Sequence, residues 1–233
     1  MRVAVKEQVA VQEPVKTKQP LVIQRRFKQD KAPVENVQGT RLRRFSLDEY
    51  QQLIELAFFD EDERIELLDG LLVEMSPINP RHAVCVDKLS GLINHLLYKK
   101  AWIRVQAPIT LEGRSSQPQP DLTIALLQPE MYEERHVKAE ETLLLIEVAD
   151  SSLYTDQGDK LKLYASAEIG EYWIVNLVDN QLEVYQEPYL SATGEGNYKV
   201  KRTYTRDETV SLQAFPDCQI DLSEVLPRSI TER

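Results

Sequence analysis

The chain has 233 residues, with 28 Lys and Arg against 38 Asp and Glu, a formal net charge of −10 and 42% hydrophobic residues. That length suits one domain, or one domain with an appendage, and the acidic balance argues against a protein that coats nucleic acid through a broad positive field. No run approaches the roughly 18 apolar residues of a membrane helix, the N-terminus has no signal-peptide apolar block, and Cys85 and Cys218 lack CxxC or paired-His spacing, so a soluble cytoplasmic protein without a disulfide framework or zinc site is expected.

The charge is unevenly spread. Residues 1–44 hold eleven Lys/Arg and four acids, a local net of +7, which leaves −17 on the remaining 189 residues. Residues 1–43 are rich in Val, Gln, Lys and Pro, carry a single aromatic (Phe27) and show no helical period, which predicts a disordered basic arm. Such an arm is either a solvated tail or an electrostatic tether for nucleic acid or an acidic partner.

The domain is expected over 44–226, with a tail at 227–233. Ser46-Leu-Asp-Glu49 is a capping box, and Leu47, Tyr50, Leu53, Ile54 and Ala57 repeat at helical spacing, predicting a first helix to about Phe59. The acidic turn 60–63 follows. Asp69-Gly70 between Arg64–Leu68 and Leu71–Met75 reads as a hairpin. Ser76-Pro-Ile-Asn-Pro80 separates it from a helix over about 81–99, with Val86, Leu89, Ile93, Leu96 and Leu97 as its apolar face and His82 in its first turn. Strands then follow at 102–107, 121–126 and 143–148, the last so apolar that it belongs in mid-sheet. A helix at 157–167, strands at 171–175 and 182–186 turned at Asp179-Asn180, and strands at 198–205 and 210–212 finish the sheet. The sum is an α/β fold, a mixed central sheet with a helix on either side.

Glu147 is the informative anomaly. An isolated ionised carboxylate among Leu143–Val148 costs several kcal/mol, so it calls for a cation, a salt bridge or a strand end that reaches water. Asp121 opens another strand after Pro120, and Glu66 lies within Ile65–Leu68. Three acids in three β-segments suit a divalent metal, since Mg²⁺ takes carboxylate oxygens, carbonyls and water. Lys160, on the helix after the Glu147 strand, is the candidate positive partner; alternatively it forms an i,i+4 surface pair with Asp156, worth a few tenths of a kcal/mol. Phosphate-loop glycines, a GxSxG elbow and a nicotinamide fingerprint are all missing, which removes support for a general small-molecule enzyme.

Pro120-Asp121 followed by Glu147-Val148 resembles the PD-(D/E)XK nuclease signature. Together with Arg64-Ile-Glu-Leu-Leu-Asp-Gly-Leu-Leu-Val-Glu-Met-Ser-Pro77, His82, Asp156-Gln-Gly-Asp-Lys160, Leu163-Tyr-Ala165 and Glu171-Tyr-Trp-Ile-Val175, the series over about 44–187 resembles the Uma family of restriction-endonuclease-like proteins, expanded in cyanobacteria. The resemblance implies a restriction-endonuclease-like core and Mg²⁺-dependent hydrolysis of DNA phosphodiesters, with Mn²⁺ as a substitute. It implies that Asp121 and Glu147 hold the metal, with the Val148 carbonyl as a further ligand, that Glu66 assists, and that Lys160 replaces the lysine expected at Ala149. That lysine would be a positive contact or, if desolvated, a base; His82 is a weaker candidate for orienting phosphate or water. Dimerisation to cut both strands is a family expectation, and a domain this acidic leaves room for an unknown protein partner that delivers substrate. The second reading is a catalytically retired fold kept for binding protein or nucleic acid. Two positions depart from the family pattern: Glu168 stands where glycine is expected, with Gly170 as the candidate for the tight turn, and Asn176 where aspartate is expected.

Overall fold

The computed structural model describes residues 36–37, 40–41, 43–60, 62–129 and 132–227. The expected disordered arm and tail therefore fall mostly outside the described residues; within them, Asn36–Val37 (β1) and Thr40–Arg41 (β2) pair as a short antiparallel hairpin.

Helix α1 (Leu47–Glu55) starts from the expected capping box: Ser46 Oγ accepts from the Glu49 amide at 3.2 Å, and the Glu49 carboxylate accepts from the Ser46 amide at 3.1 Å. It stops four residues before Phe59, because the chain turns into the left-handed region at Ala57, φ 48. Strands β3 (Ile65–Leu68) and β4 (Leu71–Glu74) form the hairpin, with Asp69 and Gly70 both at positive φ, 47 and 77, the backbone that a two-residue turn matching strand twist requires. A Cβ at Gly70 would lie 2.7 Å from Arg44 Cβ and 2.9 Å from the Phe45 carbonyl oxygen, so this glycine also admits the close approach of the preceding chain. Helix α2 (Pro80–Leu96), capped by Asn79, is shorter at its C-terminus than expected, and the chain reverses at Lys99, φ 60.

The central sheet has strand order β12-β11-β10-β9-β7-β5, with β5 at Trp102–Val105, β7 at Leu122–Ala125, β9 at Thr142–Ala149, β10 at Glu171–Asn176, β11 at Gln181–Leu190 and β12 at Gly196–Tyr204. A small parallel pair, β6 (Ile109–Thr110) with β8 (Val137–Lys138), lies apart from it. Strand β9 is central, parallel to β10 and antiparallel to β7. Leu144, Ile146 and Val148 pack with Leu89 and Ile93 of α2 on one face, while Leu145 and Ala149 pack with the opposite helix on the other. Burial on both faces, worth roughly 1.5–3 kcal/mol per large side chain, is why this strand tolerates so few polar residues.

The helix expected at 157–167 is three pieces: a turn of α-helix (α3, Leu153–Thr155), a π-helical turn (Asp156–Lys160) and α4 (Leu161–Ser166). Such turns often mark functional sites. The Glu168 amide donates to the Ala165 carbonyl at 3.1 Å and the Ile169 amide to Tyr164 at 3.0 Å, with Glu168 itself at φ 59. This is a Schellman cap. The tight turn therefore sits at Glu168, in the glycine's expected place, and Gly170 does not replace it. Asn176 also keeps its turn. Its amide donates to Asp179 at 2.9 Å and Glu183 at 3.0 Å, and its Oδ1 accepts from the Asp179 amide; an aspartate there would be a third carboxylate in the same place.

One expectation fails in the last third of the chain. Strand β13 (Thr209–Leu212) does not finish the central sheet; it pairs with an unanticipated strand, β14 (Phe215–Asp221), which leads into a short helix, α5 (Leu222–Val225). Val210, Leu212, Ile220, Leu222 and Val225 are buried in the same cluster as α2. They cover the α2 face, whose apolar surface a single helix leaves partly open.

Candidate active site

Extending the β7–β9 register (Leu122 opposite Ile146) by one residue places Asp121 opposite Glu147. The Asp121 amide lies 3.4 Å from Glu147 Oε2, and the Val148 amide donates to Asp121 Oδ2 at 2.9 Å. Two adjacent strands thus bring together carboxylates 26 residues apart in the chain. Glu66 arrives from outside the sheet. Its hairpin docks on residues 117–119, where the Gln117 amide donates to the Leu67 carbonyl at 2.7 Å and the Gln119 amide to Glu66 Oε2 at 3.1 Å.

Lys160 joins them. Its Nζ is 3.1 Å from Glu147 Oε1 and 3.3 Å from Glu66 Oε1, and the residue is only 5% exposed. The surface pair with Asp156 is therefore not what forms, since both residues are buried in the π-turn. Tyr164, one turn beyond Lys160, donates its hydroxyl to Glu147 Oε1 at 2.8 Å. Behind it the Tyr172 hydroxyl donates to the Asp156 carbonyl at 3.1 Å, and the two rings meet edge to face, 5.0 Å between centroids. These rings close the site from the core side. Ala149 is buried on the Glu147 face.

His82 is brought fully into the site, its Nε2 2.9 Å from Asp121 Oδ2, while Asn79 fixes its amide from the helix cap. Gln106 holds the other Asp121 oxygen at 3.1 Å and does so from the left-handed region, φ 46. Strain of that sort, of order 1–3 kcal/mol, persists where the surroundings demand it. Sequence reasoning gave no site role to Asp156, Tyr164, Gln106 or Gln119. The four-residue spacing 156, 160, 164 was the legible signal for the first two; the glutamines left none.

The electrostatics follow from four buried acids around one ammonium. Burial pushes the Glu147 carboxyl well above its usual range; Lys160 pulls it down, and Asp156, Asp121 and Glu66 push it up again. Burial likewise raises Asp156. At Asp121 burial is outweighed by the bonds from His82, the Val148 amide and Gln106, which hold its carboxyl below the usual range. Burial opposes the charge on Lys160, but Glu147, Glu66 and Asp156 more than restore it, so its ammonium is held above its ordinary range. An ammonium held this way stays charged.

The carboxylates border a cleft of about 80 Å³ that also receives Arg64, Asn79, Asp150 and Ser152. Among the described residues no three acidic, His or Cys side chains converge as a ready-made ion cage. The donor set nevertheless suits a hard divalent cation: it is oxygen-rich, it brings four buried carboxyl groups to a single ammonium, and Asp156 Oδ1 is buried without a hydrogen-bond partner among the described residues. Mg²⁺ characteristically takes one or two carboxylates and keeps its waters.

A family model described as "Putative restriction endonuclease" (Uma2) matches residues 47–223. Among solved structures, a "putative nuclease belonging to DUF820" from Anabaena variabilis superposes with a TM-score of 0.60 at 13% identity, covering 78% of this chain and 97% of that one. At that identity the likeness is one of fold, a mixed central sheet flanked by helices. No curated protein matches. Among the described residues no helix is long and apolar enough to cross a membrane.

Proposed function

Because the chain belongs to the Uma2 family of "putative restriction endonucleases", a nuclease family, we propose that it is a divalent-metal-dependent endonuclease that hydrolyses DNA phosphodiester bonds at the Asp121–Glu147 cleft. The observation that carries this reading is the convergence of Asp121, Glu147, Glu66 and Lys160 from a hairpin, two sheet strands and a π-turn: Lys160 bridges Glu147 and Glu66, and the Asp121 amide meets Glu147. Asp121 and Glu147 would hold Mg²⁺ or Mn²⁺, with the Val148 carbonyl as a further ligand. When bound, such an ion polarises a phosphoryl oxygen and lowers the pKa of its water.

The chain's own groups have separable tasks. Lys160 keeps Glu147 and Glu66 aligned and adds fixed positive charge where phosphate charge grows. Tyr164 and Lys160 together fix Glu147 Oε1, and His82, Gln106 and the Val148 amide fix both oxygens of Asp121. A carboxylate locked by three donors loses no orientation entropy on meeting its ligand. The tyrosine wall excludes water from the core side, which strengthens every charge interaction in the site.

The test is direct. Purified protein with Mg²⁺ or Mn²⁺ is expected to cut supercoiled or linear DNA, and Asp121→Ala, Glu147→Ala and Lys160→Ala are each expected to lower the rate by at least about a hundredfold. Parental activity in all three variants would overturn the assignment. No cutting of any nucleic acid by the parent would favour the second reading, a nuclease fold retained for binding.

A further inference from the structure

Three cationic or protonatable side chains line the cleft: Lys160, His82 and Arg64. Two of them are committed. Lys160 is buried against Glu147 and Glu66, and His82 is held on Asp121. Arg64 differs. Among the described residues no carboxylate lies within ion-pair distance of it, its side chain makes a single marginal bond, Nη1 to the Ser76 carbonyl at 3.5 Å, and it is half-buried at the mouth. Its backbone is fixed: the Met75 amide donates to the Arg64 carbonyl at 2.8 Å, which extends the β3–β4 ladder and sets Arg64 on the same strand face as Glu66. The two Cα atoms are thus about 6.6 Å apart along the strand.

The surroundings make the unpaired guanidinium unusual. Glu66, Glu74, Asp121, Glu147, Asp150 and Asp156 line the same cleft, so acceptors are plentiful, and the geometry of the hairpin still keeps Arg64 off them. A cation placed at the mouth of an acidic cleft, with all but one of its donors unspent among the described residues, suits an anionic ligand that enters from solvent. Its planar fork of five donors matches a phosphate bidentately.

We infer that Arg64 is a substrate-positioning residue that binds a backbone phosphate of the nucleic-acid strand, one phosphate removed from the one facing Lys160. The inference rests on the nuclease reading and adds to it the contact that offsets repulsion between the strand and the acidic cleft. Lys160 handles the reacting phosphate, and Arg64 fixes the register of the strand along the hairpin.

The experiment is a salt titration of binding. A short fluorescein-labelled DNA duplex is titrated with protein, with Ca²⁺ in place of Mg²⁺ so that the strand is held uncut, over a series of KCl concentrations. Arg64→Gln is expected to weaken binding about tenfold and to reduce the slope of log affinity against log salt by about 1. Arg64→Lys is expected to keep the slope while losing part of the affinity, since the charge remains and the fork is lost. Arg202→Gln, on the exposed edge strand β12 and bonded through its side chain to Gln186, changes net charge equally and is expected to leave the slope unchanged. Equal effects of the Arg64 and Arg202 substitutions, or an unaltered slope in Arg64→Gln, would overturn the inference alone. A parent that binds no DNA at any salt would overturn it together with the nuclease reading.

Discussion

Removing the ammonium at position 160 tests the charge balance of the site independently of catalysis. In Lys160→Met the alkyl stem is nearly preserved and the charge is lost. At an effective dielectric near 20, contacts at 3.1 and 3.3 Å are each worth about 5 kcal/mol of attraction. The variant recovers the cost of burying an ammonium, and the acids take up a proton, so the net loss should be the roughly 3–5 kcal/mol typical of breaking a buried pair. For a domain of this size that corresponds to a fall in Tm of about 6–20 °C at pH 7. The loss should shrink in acid. Burial already holds Glu147 above the usual carboxylate range, and without Lys160 it rises further. A raised acid gives its full stability below the unfolded-state pKa and loses it as pH climbs toward the folded one. Thermal unfolding followed by circular dichroism at pH 7 and pH 5, both in EDTA, measures this. A variant within about 3 °C of the parent at pH 7, or an equal loss at both pH values, would refute the reasoning.

Two further substitutions probe the scaffold. Glu168 occupies a left-handed position at φ 59, so Glu168→Gly should raise the unfolding free energy by up to about 1 kcal/mol, seen as a higher urea midpoint, with cleavage unchanged; a lower midpoint would show that the cap is not strained. At Glu183 burial is outweighed by Lys201, Tyr185 and Asn176, which pull its carboxyl down to about 2. A depressed acid stabilises above its unfolded pKa and loses that stability as pH falls toward the folded one, so Glu183→Gln should cost roughly 2 kcal/mol at pH 7, after allowance for solvent screening, and little near pH 2. Denaturant titrations at several pH values test this, and a cost independent of pH would count against it.

How far the sequence revealed all this depends on the range of the interactions. Local signals read true: the Ser46 capping box, the Asp69-Gly70 turn and the apolar run of β9, broken only by Glu147, each rest on physics within a few residues. The placement of Asp121, Glu147 and Lys160 was legible because a charge in an apolar strand demands a partner, and a lysine followed on the next helix. What escaped was long-range. Gln106 and Gln119 matter only because β5 and the 117–119 segment pass Asp121 and Glu66, and nothing in their own neighbourhoods announces it. The β13–β14 pair was misplaced because alternation reveals a strand without naming its neighbour. His82 was the weaker candidate in its helix turn, and only the approach of α2 to the end of β7 gives its ring a carboxylate.

The π-turn makes the chemistry depend on residue count as well as residue identity. An α-helix advances about 100° per residue, so a chain lacking Gly158 could run as a continuous helix with Lys160 swung about a quarter-turn away from Glu147 and Glu66. Every strand and most of the core would remain. A single-codon deletion would thus part architecture from site geometry, leaving a well-folded relative whose cleft keeps every residue type but not their convergence.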